Sequence, residues 1–534
     1  MGAIEPSEPA ALPQKADLLV IGGGIIGAGI ALEAARRGAR VLLAEARDFA
    51  WGTSSRSSKL VHGGLRYLAE GQFALTRESV RERRALLADA PVLVQAQRCL
   101  MLHYKGRKPG WRKMGAGLAL YDAFAGQRTR RFHDGGELDM LAPEVRHDDL
   151  IGGWSHLEAK TDDARLVLRV LHEARAHGAV VRNYLRADSL LREGDRVVGA
   201  VLADANGATQ LVHARAVINA TGVWADDLRG QLGAAPLLRP LRGSHLLMPL
   251  WRLPLAHAIT LMHPRDGRPV FAYPWEGAAL IGTTDLDHDV PLSEEPAITE
   301  AEVAYLIEAT RSAFPSLNLS ADDVISTFAG VRPVVAGGAA DPSKESRNHI
   351  VLDEQGLLTV TGGKLTTFRL IALDALRHAK ARLPEFAFDG PPGAIFAPVN
   401  DTLDAKGLPP PQRRRLIGRY GAHAMDILAC AQPGELEAVP GSDALWAELR
   451  WSARTEWVHH LDDLLLRRTR LGLVRRGASM DLLPRLTPML QIELGWDATR
   501  LAGEVDRYRN VIVRCYALPA ARRMQPNNAG GDAR

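Results

Sequence analysis

The sequence predicts an α/β protein in which a Rossmann-like nucleotide-binding unit is combined with an antiparallel β-sheet domain and a C-terminal α-helical domain. Three observations carry this prediction. A glycine-rich pattern of strand, turn and helix lies near the N-terminus, short β-type runs alternate with turns from Pro236 to Phe328, and the chain beyond residue 395 is polar with a helical period up to about Leu518. A chain of 534 residues is too long for one hydrophobic core, so several domains are expected.

The first element is a βαβ unit in the stretch DLLVIGGGIIGAGIALEAARRGARVLLAE. Asp17 to Ile21 predicts a buried parallel strand, Ile26 to Ala35 predicts a helix, and Arg40 to Glu45 predicts a second strand. The turn has the G-x-G-x-x-G spacing that lets a pyrophosphate approach the backbone at a helix N-terminus, and its glycines are Gly22, Gly24 and Gly27. Glu45 ends the second strand, where it is placed to accept hydrogen bonds from an adenosine ribose with a free 2′-hydroxyl.

A basic amphipathic stretch follows from Arg98 to Arg131, where nine lysines and arginines accompany a single acid, Asp122. This composition is typical of a segment that lies in a membrane interface, with Arg112 and Lys113 facing anionic lipid. The residues that would enter the lipid are Trp111, Met114, Leu118, Leu120 and Tyr121. The alternative is a solvated charged face over ordinary core, and the sequence leaves both open.

A capped amphipathic helix in TDDARLVLRVLHEARAHGAVV leads into a β-meander that ends in VINATG. A strand that ends in Ala220, Thr221 and Gly222, far along the chain from the glycine turn, is typical of FAD-binding folds of the glutathione reductase and amino-acid oxidase type. NAD dehydrogenases lack this second contact, so the predicted cofactor is FAD. The stretch GLLTVTGGKLTTFRL then places Gly362, Gly363 and Lys364 at another helix N-terminus, which suits an anionic substrate or the reduced flavin.

Composition excludes several classes of protein. With 46% hydrophobic and 24% charged residues the chain is globular, and a net charge of +4 is too small to indicate a nucleic-acid partner. The cysteines Cys99, Cys430 and Cys515 match neither a metal nor a redox spacing, so we expect no metal site and a reducing, cytoplasmic compartment. No signal peptide or membrane-spanning stretch is predicted, and residues 1–15 and 521–534 are expected to be disordered tails.

Taken together, these segments resemble the FAD-dependent, quinone-linked glycerol-3-phosphate dehydrogenases. The resemblance covers nearly the whole chain and is carried by VIGGGIIGAGIALEAARRG, TSSRSSKLVHGGLRYL, DDARLVL, NATGVWADD, RGSHLLMP, IGTTD, GVRPVV, GGKLTTFR and EWVHHLDDLLLRRTRLGL. It implies an oxidoreductase region over residues 16–395 and a helical domain over 396–520. The FAD-binding parts would be about 16–90, 160–235 and 330–380, and the substrate-binding part about 236–330.

The same resemblance implies a reaction. The enzyme would oxidise sn-glycerol 3-phosphate to dihydroxyacetone phosphate, pass a hydride to FAD and reduce a membrane quinone from a peripheral position on the cytoplasmic face of the membrane. We also expect a homo-oligomer.

This substrate requires cations for its phosphate. Arg66 and Tyr67 in GGLRYL offer a guanidinium and a phenol, both good phosphate donors. Arg332 in GVRPVV is held on a rigid loop, and Lys364 at a helix N-terminus is unfavourable unless an anion lies beside it.

The alcohol at C2 requires a base. His245 in RGSHLLMP is the preferred general base, because a neutral imidazole near pH 7 can accept the hydroxyl proton, and His62 is the competitor. Gly63 and Gly64 would let the backbone pass close to the flavin. By resemblance, Ser57, Ser58 and Lys59 lie along the pyrophosphate and isoalloxazine of FAD.

Three other functions compete with this hypothesis. A glycerol-3-phosphate oxidase would return the electrons to oxygen, but that branch tends to carry an insertion of which this chain has no obvious counterpart. A relative that oxidises glycine or sarcosine would grip a carboxylate, whereas three separate cations suit a dianion better. A flavin-binding regulatory protein without catalysis would lack site residues that are all present here.

Overall fold

The computed structural model describes residues 12–337, 348–399 and 408–523. In these residues the strands are β1 (Lys15–Ile21), β2 (Val41–Ala44), β3 (Leu60–Val61), β4 (Val94–Tyr104), β5 (Arg131–His133), β6 (Leu150–Thr161), β7 (Val180–Arg182), β8 (Leu185–Glu193), β9 (Arg196–Asp204), β10 (Thr209–Asn219), β11 (Leu238–Pro249), β12 (Ala258–Met262), β13 (Pro269–Trp275), β14 (Ala278–Gly282), β15 (Leu286–Asp287), β16 (Ser326–Val335), β17 (Ile350–Glu354) and β18 (Leu357–Thr361). The helices are α1 (Ile25–Ala35), α2 (Leu65–Ala69), α3 (Phe73–Asp89), α4 (Trp111–Ala125), α5 (Gly135–Leu141), α6 (Asp163–Ala176), α7 (Ala225–Gly230), α8 (Glu300–Ala313), α9 (Phe368–Ala379), α10 (Pro410–Tyr420), α11 (Ala424–Cys430), α12 (Trp446–Thr455), α13 (Leu471–Val474), α14 (Leu483–Leu494), α15 (Ala498–Val511) and α16 (Pro519–Arg523). Most of the predicted tails 1–15 and 521–534 lies outside the described residues, although Lys15 already begins β1 and α16 extends to Arg523.

The first sheet contains the predicted βαβ unit. Among the described residues it has eight strands with the order β17-β18-β10-β1-β2-β7, and the antiparallel meander β8-β9-β10 branches from it. Strands β2, β1, β10 and β18 run parallel, so their carboxyl ends lie along one edge of the sheet. Helix α1 is almost fully buried against this sheet and α9, because its small residues allow close approach; a Cβ at Gly29 would lie 2.8 Å from the Phe368 ring.

The second sheet is predominantly antiparallel, as predicted for residues 236–330. Its ten described strands follow the order β15-β11-β14-β13-β12-β4-β6-β3, with β16 beside β11 and β5 beside β6. The predicted helix near residue 300 is α8, which begins with a capping box between Thr299 and Glu302. Strands β3 to β6, which the sequence pattern does not predict, extend this sheet with residues from the first third of the chain.

The C-terminal helices pack on both other parts of the molecule. Leu461, Leu464 and Leu466 share a buried cluster with Tyr273 and Trp275 of the second sheet. Buried ion pairs connect the same helical region to the first domain, and they join Asp48 to Arg467 and Arg468, Arg165 to Glu456, and Asp162 to Arg419 and Arg470. Because buried charges need partners, these pairs fix how the C-terminal domain lies on the rest of the chain.

The predicted membrane-interface segment 98–131 divides between two environments. Arg98 to Tyr104 belongs to β4, which pairs with β6 and β12 inside the second sheet. Leu118 and Tyr121 of α4 are fully buried, so they do not face lipid, and Met114 is half-buried. The exposed part is narrower than predicted: Trp111 and Leu120 are 37% and 41% exposed, and Arg112 and Lys113 are exposed beside them.

Among the residues that the structure describes, no helix is both long and apolar enough to cross a bilayer.

Candidate active site

The glycine turn leads into the N-terminus of α1. Gly22 has φ of +114°, and a Cβ at this position would lie 2.5 Å from the Ala220 carbonyl oxygen. Gly24 caps α1 with extended backbone, and the first turn of this 11-residue helix carries no acidic side chain. A Cβ at Gly27 would collide with the Gly22 carbonyl, so the third glycine lets the helix pack on the turn. A glycine turn that leads into a helix N-terminus, where no acidic side chain lies in the first helical turn, can accommodate a pyrophosphate.

Two side chains from other parts of the chain hydrogen-bond to the backbone of the glycine turn and of the first residue of α1. Glu45 accepts hydrogen bonds from the Gly23 N–H at 2.6 Å and from the Arg47 N–H at 2.8 Å. Burial raises the pKa of this carboxyl, whereas the two N–H donors act in the opposite direction. The Ser54 hydroxyl accepts from the Ile25 N–H at 3.0 Å. Ser54 is not among the residues predicted from the sequence, although it lies in the serine-rich run TSSRSS.

The remaining predicted cofactor segments meet at the same edge of the first sheet. Ala220 follows β10, and its N–H donates to the Ile21 carbonyl at 2.8 Å. Gly222 accepts from the Thr361 hydroxyl at 3.2 Å at the end of β18. Gly362 and Gly363 follow at once with φ of +78° and +75°. The carboxyl edge of a parallel sheet is where ligands bind in such folds, and three predicted segments lie along it.

The predicted base and one predicted cation lie on one face of the second sheet. His245 is paired with Phe328 on β16 and with Gly282 on β14, and Gly282 is in turn opposite Phe271. Directly opposed residues share a face, and so do Phe328 and Arg332, which are four residues apart on one strand. His245, Phe271 and Arg332 therefore line the same face, where the His62 ring lies 5.6 Å from the Phe271 ring.

His245 is buried and stacks on Phe328 at 4.5 Å between ring centroids. Burial, reinforced by the positive charges of Lys59 and Arg332, lowers the pKa of His245 well below its usual range. Its Nε2 lies 2.9 Å from the Ser58 hydroxyl oxygen, and its Nδ1 has no hydrogen-bond partner among the described residues. The imidazole is thus neutral near pH 7, as a base must be before it accepts a proton.

Lys59 adjoins this base but is directed into the protein. Its ammonium donates to Asp163 at 3.0 Å and to the Ser55 carbonyl at 2.8 Å, and its side chain is fully buried. Burial lowers the pKa of Lys59 to about 8, and Asp163 acts against that effect. Ser57 contacts the same carboxylate, with its hydroxyl 2.7 Å from Asp163 Oδ2. Asp163 is a residue that the sequence analysis missed, although DDARLVL was among its motifs.

Arg332 lies within strand β16, paired with β11, and not on the predicted rigid loop. Its guanidinium donates to Asp285 at 2.6 Å and to the Thr283 hydroxyl at 3.3 Å, and its side chain is 22% exposed. A Cβ at Gly243 would lie 2.5 Å from the guanidinium, so this glycine lets the arginine lie flat on the sheet.

The other predicted phosphate ligands form a second group. The Lys364 ammonium lies 3.9 Å from the Tyr67 ring centroid and donates to the Ser79 hydroxyl at 2.8 Å. Gly63 donates its N–H to Glu158 at 2.8 Å, and Gly64 is the N-cap of α2 with φ of +87°. Arg66 of α2 forms a surface pair with Glu70 at 2.8 Å, and its side chain is 44% exposed. The structure therefore brings Tyr67 and Lys364 together and leaves Arg66 on the outer side of the helix.

No cluster of three or more His, Cys, Asp or Glu side chains suited to a metal ion occurs within residues 12–337, 348–399 and 408–523.

Two family models cover most of the chain. Residues 17–369 match the FAD dependent oxidoreductase family, and residues 385–501 match the C-terminal domain of alpha-glycerophosphate oxidase. A protein named glycerol-3-phosphate dehydrogenase 2 from Mycobacterium tuberculosis is 37% identical over 522 residues, which cover 93% of this chain and 88% of that protein. The chain belongs to the FAD-dependent glycerol-3-phosphate dehydrogenase family. FAD is its cofactor, and the glycine turn and the parallel-strand edge provide the cradle into which it fits.

Further relatives support the assignment. The aerobic glycerol-3-phosphate dehydrogenase of Staphylococcus aureus is 34% identical over 486 residues, which cover 85% of this chain and 86% of that protein. The crystal structure of the glycerol-3-phosphate dehydrogenase from Bacillus halodurans, complexed with FAD, superposes with a TM-score of 0.75 at 29% identity and covers 94% of this chain and 95% of that one. L-alpha-glycerophosphate oxidase from Mycoplasma pneumoniae shares the fold, with a TM-score of 0.56 at 19% identity, over 68% of this chain and 94% of its own.

Proposed function

We propose that this member of the family oxidises sn-glycerol 3-phosphate to dihydroxyacetone phosphate and delivers the electrons to a membrane quinone. The observation that carries the proposal is the presence of a neutral buried imidazole, His245, and a partly exposed guanidinium, Arg332, on one face of the second sheet. The substrate has the complementary pair of groups, an alcohol that must lose a proton and a phosphate that needs a cation. The names of the relatives agree with this substrate.

Each side chain of the site has its own role in the proposed reaction. Arg332 binds the phosphate, and Tyr67 and Lys364 supply further donors at the flavin side. FAD, when bound, supplies the acceptor for the hydride that leaves C2. His245 takes the C2 hydroxyl proton, so that the C–H and O–H bonds break together and a carbonyl remains. The Ser58 hydroxyl, which lies 2.9 Å from Nε2, orients the imidazole for this role.

The beginning of α4 is our candidate for the contact with an anionic lipid surface. Trp111 and Leu120 expose apolar surface, and Arg112 and Lys113 are exposed on the same helix. Such a helix lies in an interface and keeps the protein near its quinone.

An anaerobic titration tests the proposed substrate. We expect the flavin absorbance of the purified protein to bleach on addition of sn-glycerol 3-phosphate and to stay unchanged with glycine or sarcosine. Readmission of a short-chain quinone should restore the colour faster than readmission of air. Bleaching by an amino acid would contradict the substrate, and rapid reoxidation by air with release of peroxide would make the protein an oxidase.

A further inference from the structure

The segment from Ser54 to Lys59 connects the two halves of the proposed site. At one end, the Ser54 hydroxyl contacts the N-terminus of α1, where a pyrophosphate would bind. Near its other end, Ser58 contacts His245 through its hydroxyl, and its carbonyl accepts a hydrogen bond from Tyr273. A displacement of the Ser54–Lys59 segment would therefore disturb both the Ser54 contact at the cofactor site and the Ser58 contact with His245.

The middle of the segment is held by one carboxylate. Asp163, at the start of α6, accepts from the Ser57 hydroxyl at 2.7 Å, from the Ser57 N–H at 3.1 Å and from the Lys59 ammonium at 3.0 Å. Lys59 has φ of +53°, a conformation that a side chain other than glycine adopts only when its surroundings hold it there. The side chains of Lys59 and Asp163 are both fully buried.

Arg470 of the C-terminal domain completes this arrangement. Its guanidinium is paired with Asp163, donates to Asp162 at 2.9 Å and reaches the Ser55 carbonyl at 3.3 Å. It also donates to the Leu466 carbonyl at 2.9 Å, which ties it to its own domain. Arg470 has φ of +62°, so its backbone, like that of Lys59, is kept in the left-handed region.

We propose that Arg470 is a positioning residue through which the C-terminal domain holds the Ser54–Lys59 segment against the FAD site and His245. Arg470 orients Asp163, Asp163 fixes Ser57 and Lys59, and Ser58 between them is held at the imidazole. Arg470 touches neither substrate nor cofactor in this account, so it acts only through these residues. The part of the inference that concerns His245 rests on the proposed function, and the part that concerns the cofactor does not.

The test compares Arg470→Gln with a matched control. Glu456→Gln removes a charge from an equally buried ion pair at the same domain boundary. In that pair the Arg165 side chain hydrogen-bonds to Glu456 and to the Arg468 carbonyl, and not to the Ser54–Lys59 segment. Fluorescence titration of apoprotein with FAD measures the cofactor affinity without any substrate. We expect the FAD dissociation constant to rise about 10-fold in Arg470→Gln, since a charge-assisted contact is lost, and to change little in Glu456→Gln. Arg470→Lys, which restores a cation beside Asp163, should recover part of the affinity.

Kinetics of the holoenzymes give a second readout. Arg470→Gln, saturated with FAD, should lose about 10²-fold in kcat, because small displacements of a base are costly, while KM stays close to that of the wild type. Equal losses in Arg470→Gln and Glu456→Gln, or a loss in neither, would overturn the inference. Should Arg470→Gln fail to fold, Asp163→Asn weakens the same connection at the carboxylate and is judged by the same two measurements. A wild-type protein that ignores glycerol 3-phosphate would refute the proposed function alone, since the FAD titration would still decide the role of Arg470.

Discussion

At the scale of single residues, His245, as the proposed base, must be neutral when the substrate binds. Burial and two nearby cations lower its pKa below the ordinary 6.5, so protonation removes the base only in more acidic solution. We therefore expect kcat/KM for glycerol, which has no titrating phosphate, to stay level from about pH 8 down to about pH 6.5 and to fall only below that. An acidic limb centred above pH 6.5 would contradict the assignment of the base. His245→Gln should lower the rate by about 10²-fold or more across the range.

Arg332 tests the phosphate contact. Arg332→Ala should raise KM for glycerol 3-phosphate and lower kcat/KM by about 10²-fold, since the loss of a charge-assisted contact costs about 2–4 kcal/mol. Glycerol should lose little from the same change. Arg252→Ala is the control, because Arg252 has a similarly exposed pair with Asp323 in the same domain, at 27% against 22% exposure. Equal losses with both substrates would make Arg332 a structural residue.

The structure brings some of the predicted site residues together and separates others. His245 and Arg332 come from separate motifs, and a regular strand register brings them to one face. Asp163 and Arg470 were not predicted because they meet across 307 residues of chain, a pairing that no local period encodes. Arg66 was predicted as a phosphate ligand from its chemistry alone, and in the structure it is paired with Glu70 at the surface.

At the scale of elements, the glycine turn makes the most direct prediction. A side chain at Gly24 would extend toward Ser54, whose hydroxyl is 3.1 Å from the Cβ position, and into the space before α1. Gly24→Val should therefore purify without FAD, as measured by flavin absorbance per protein. The control is Gly136→Val on an exposed turn of α5, where the nearest atom to a Cβ is 3.7 Å away. Stoichiometric FAD in Gly24→Val would show that the turn has been misplaced.

Helix α4 makes the prediction about the membrane. Replacement of Arg107, Lys108, Arg112 and Lys113 by glutamine should release the protein from anionic vesicles at lower salt, because each basic residue near such a surface contributes about 1 kcal/mol. Trp111 should retain a part of the binding that salt does not remove. A control variant with glutamine at Arg186, Arg192, Arg196 and Arg377, which are exposed elsewhere, should sediment like the wild type. Equal sedimentation of both variants would exclude α4 as the contact.

Some secondary-structure elements can be predicted from local sequence patterns, and others cannot. The βαβ unit and the meander can be predicted because their apolar runs and turns are local, and α8 begins with a local capping box. Arg98 to Tyr104 of β4 fall within the segment that the composition assigns to a membrane interface or a solvated charged face, and the exposed and buried positions of this strand alternate irregularly. Only pairing with β6 and β12 reveals it as an inner strand.

At the scale of the whole molecule, the domain of the first sheet, the domain of the second sheet and the C-terminal helical domain meet around the Ser54–Lys59 segment. The parallel edge of the first sheet offers the FAD cradle, one face of the second sheet carries His245 and Arg332, and Arg470 reaches in from the C-terminal domain. The domain order was predictable from motifs in sequence, whereas the buried ion pairs that lock the domains together were not.

In the proposed reaction, hydride leaves C2 of sn-glycerol 3-phosphate while His245 takes the hydroxyl proton. Single-turnover reduction of the bound FAD, followed with substrate carrying hydrogen or deuterium at C2, tests this most directly. We expect FAD reduction to be slower with the deuterated than with the protonated substrate and to yield one equivalent of dihydroxyacetone phosphate per flavin. The His245→Gln variant should reduce FAD much more slowly than the wild type. Reduction at the same rate with both substrates, combined with a His245→Gln variant as fast as the wild type, would contradict the proposed reaction.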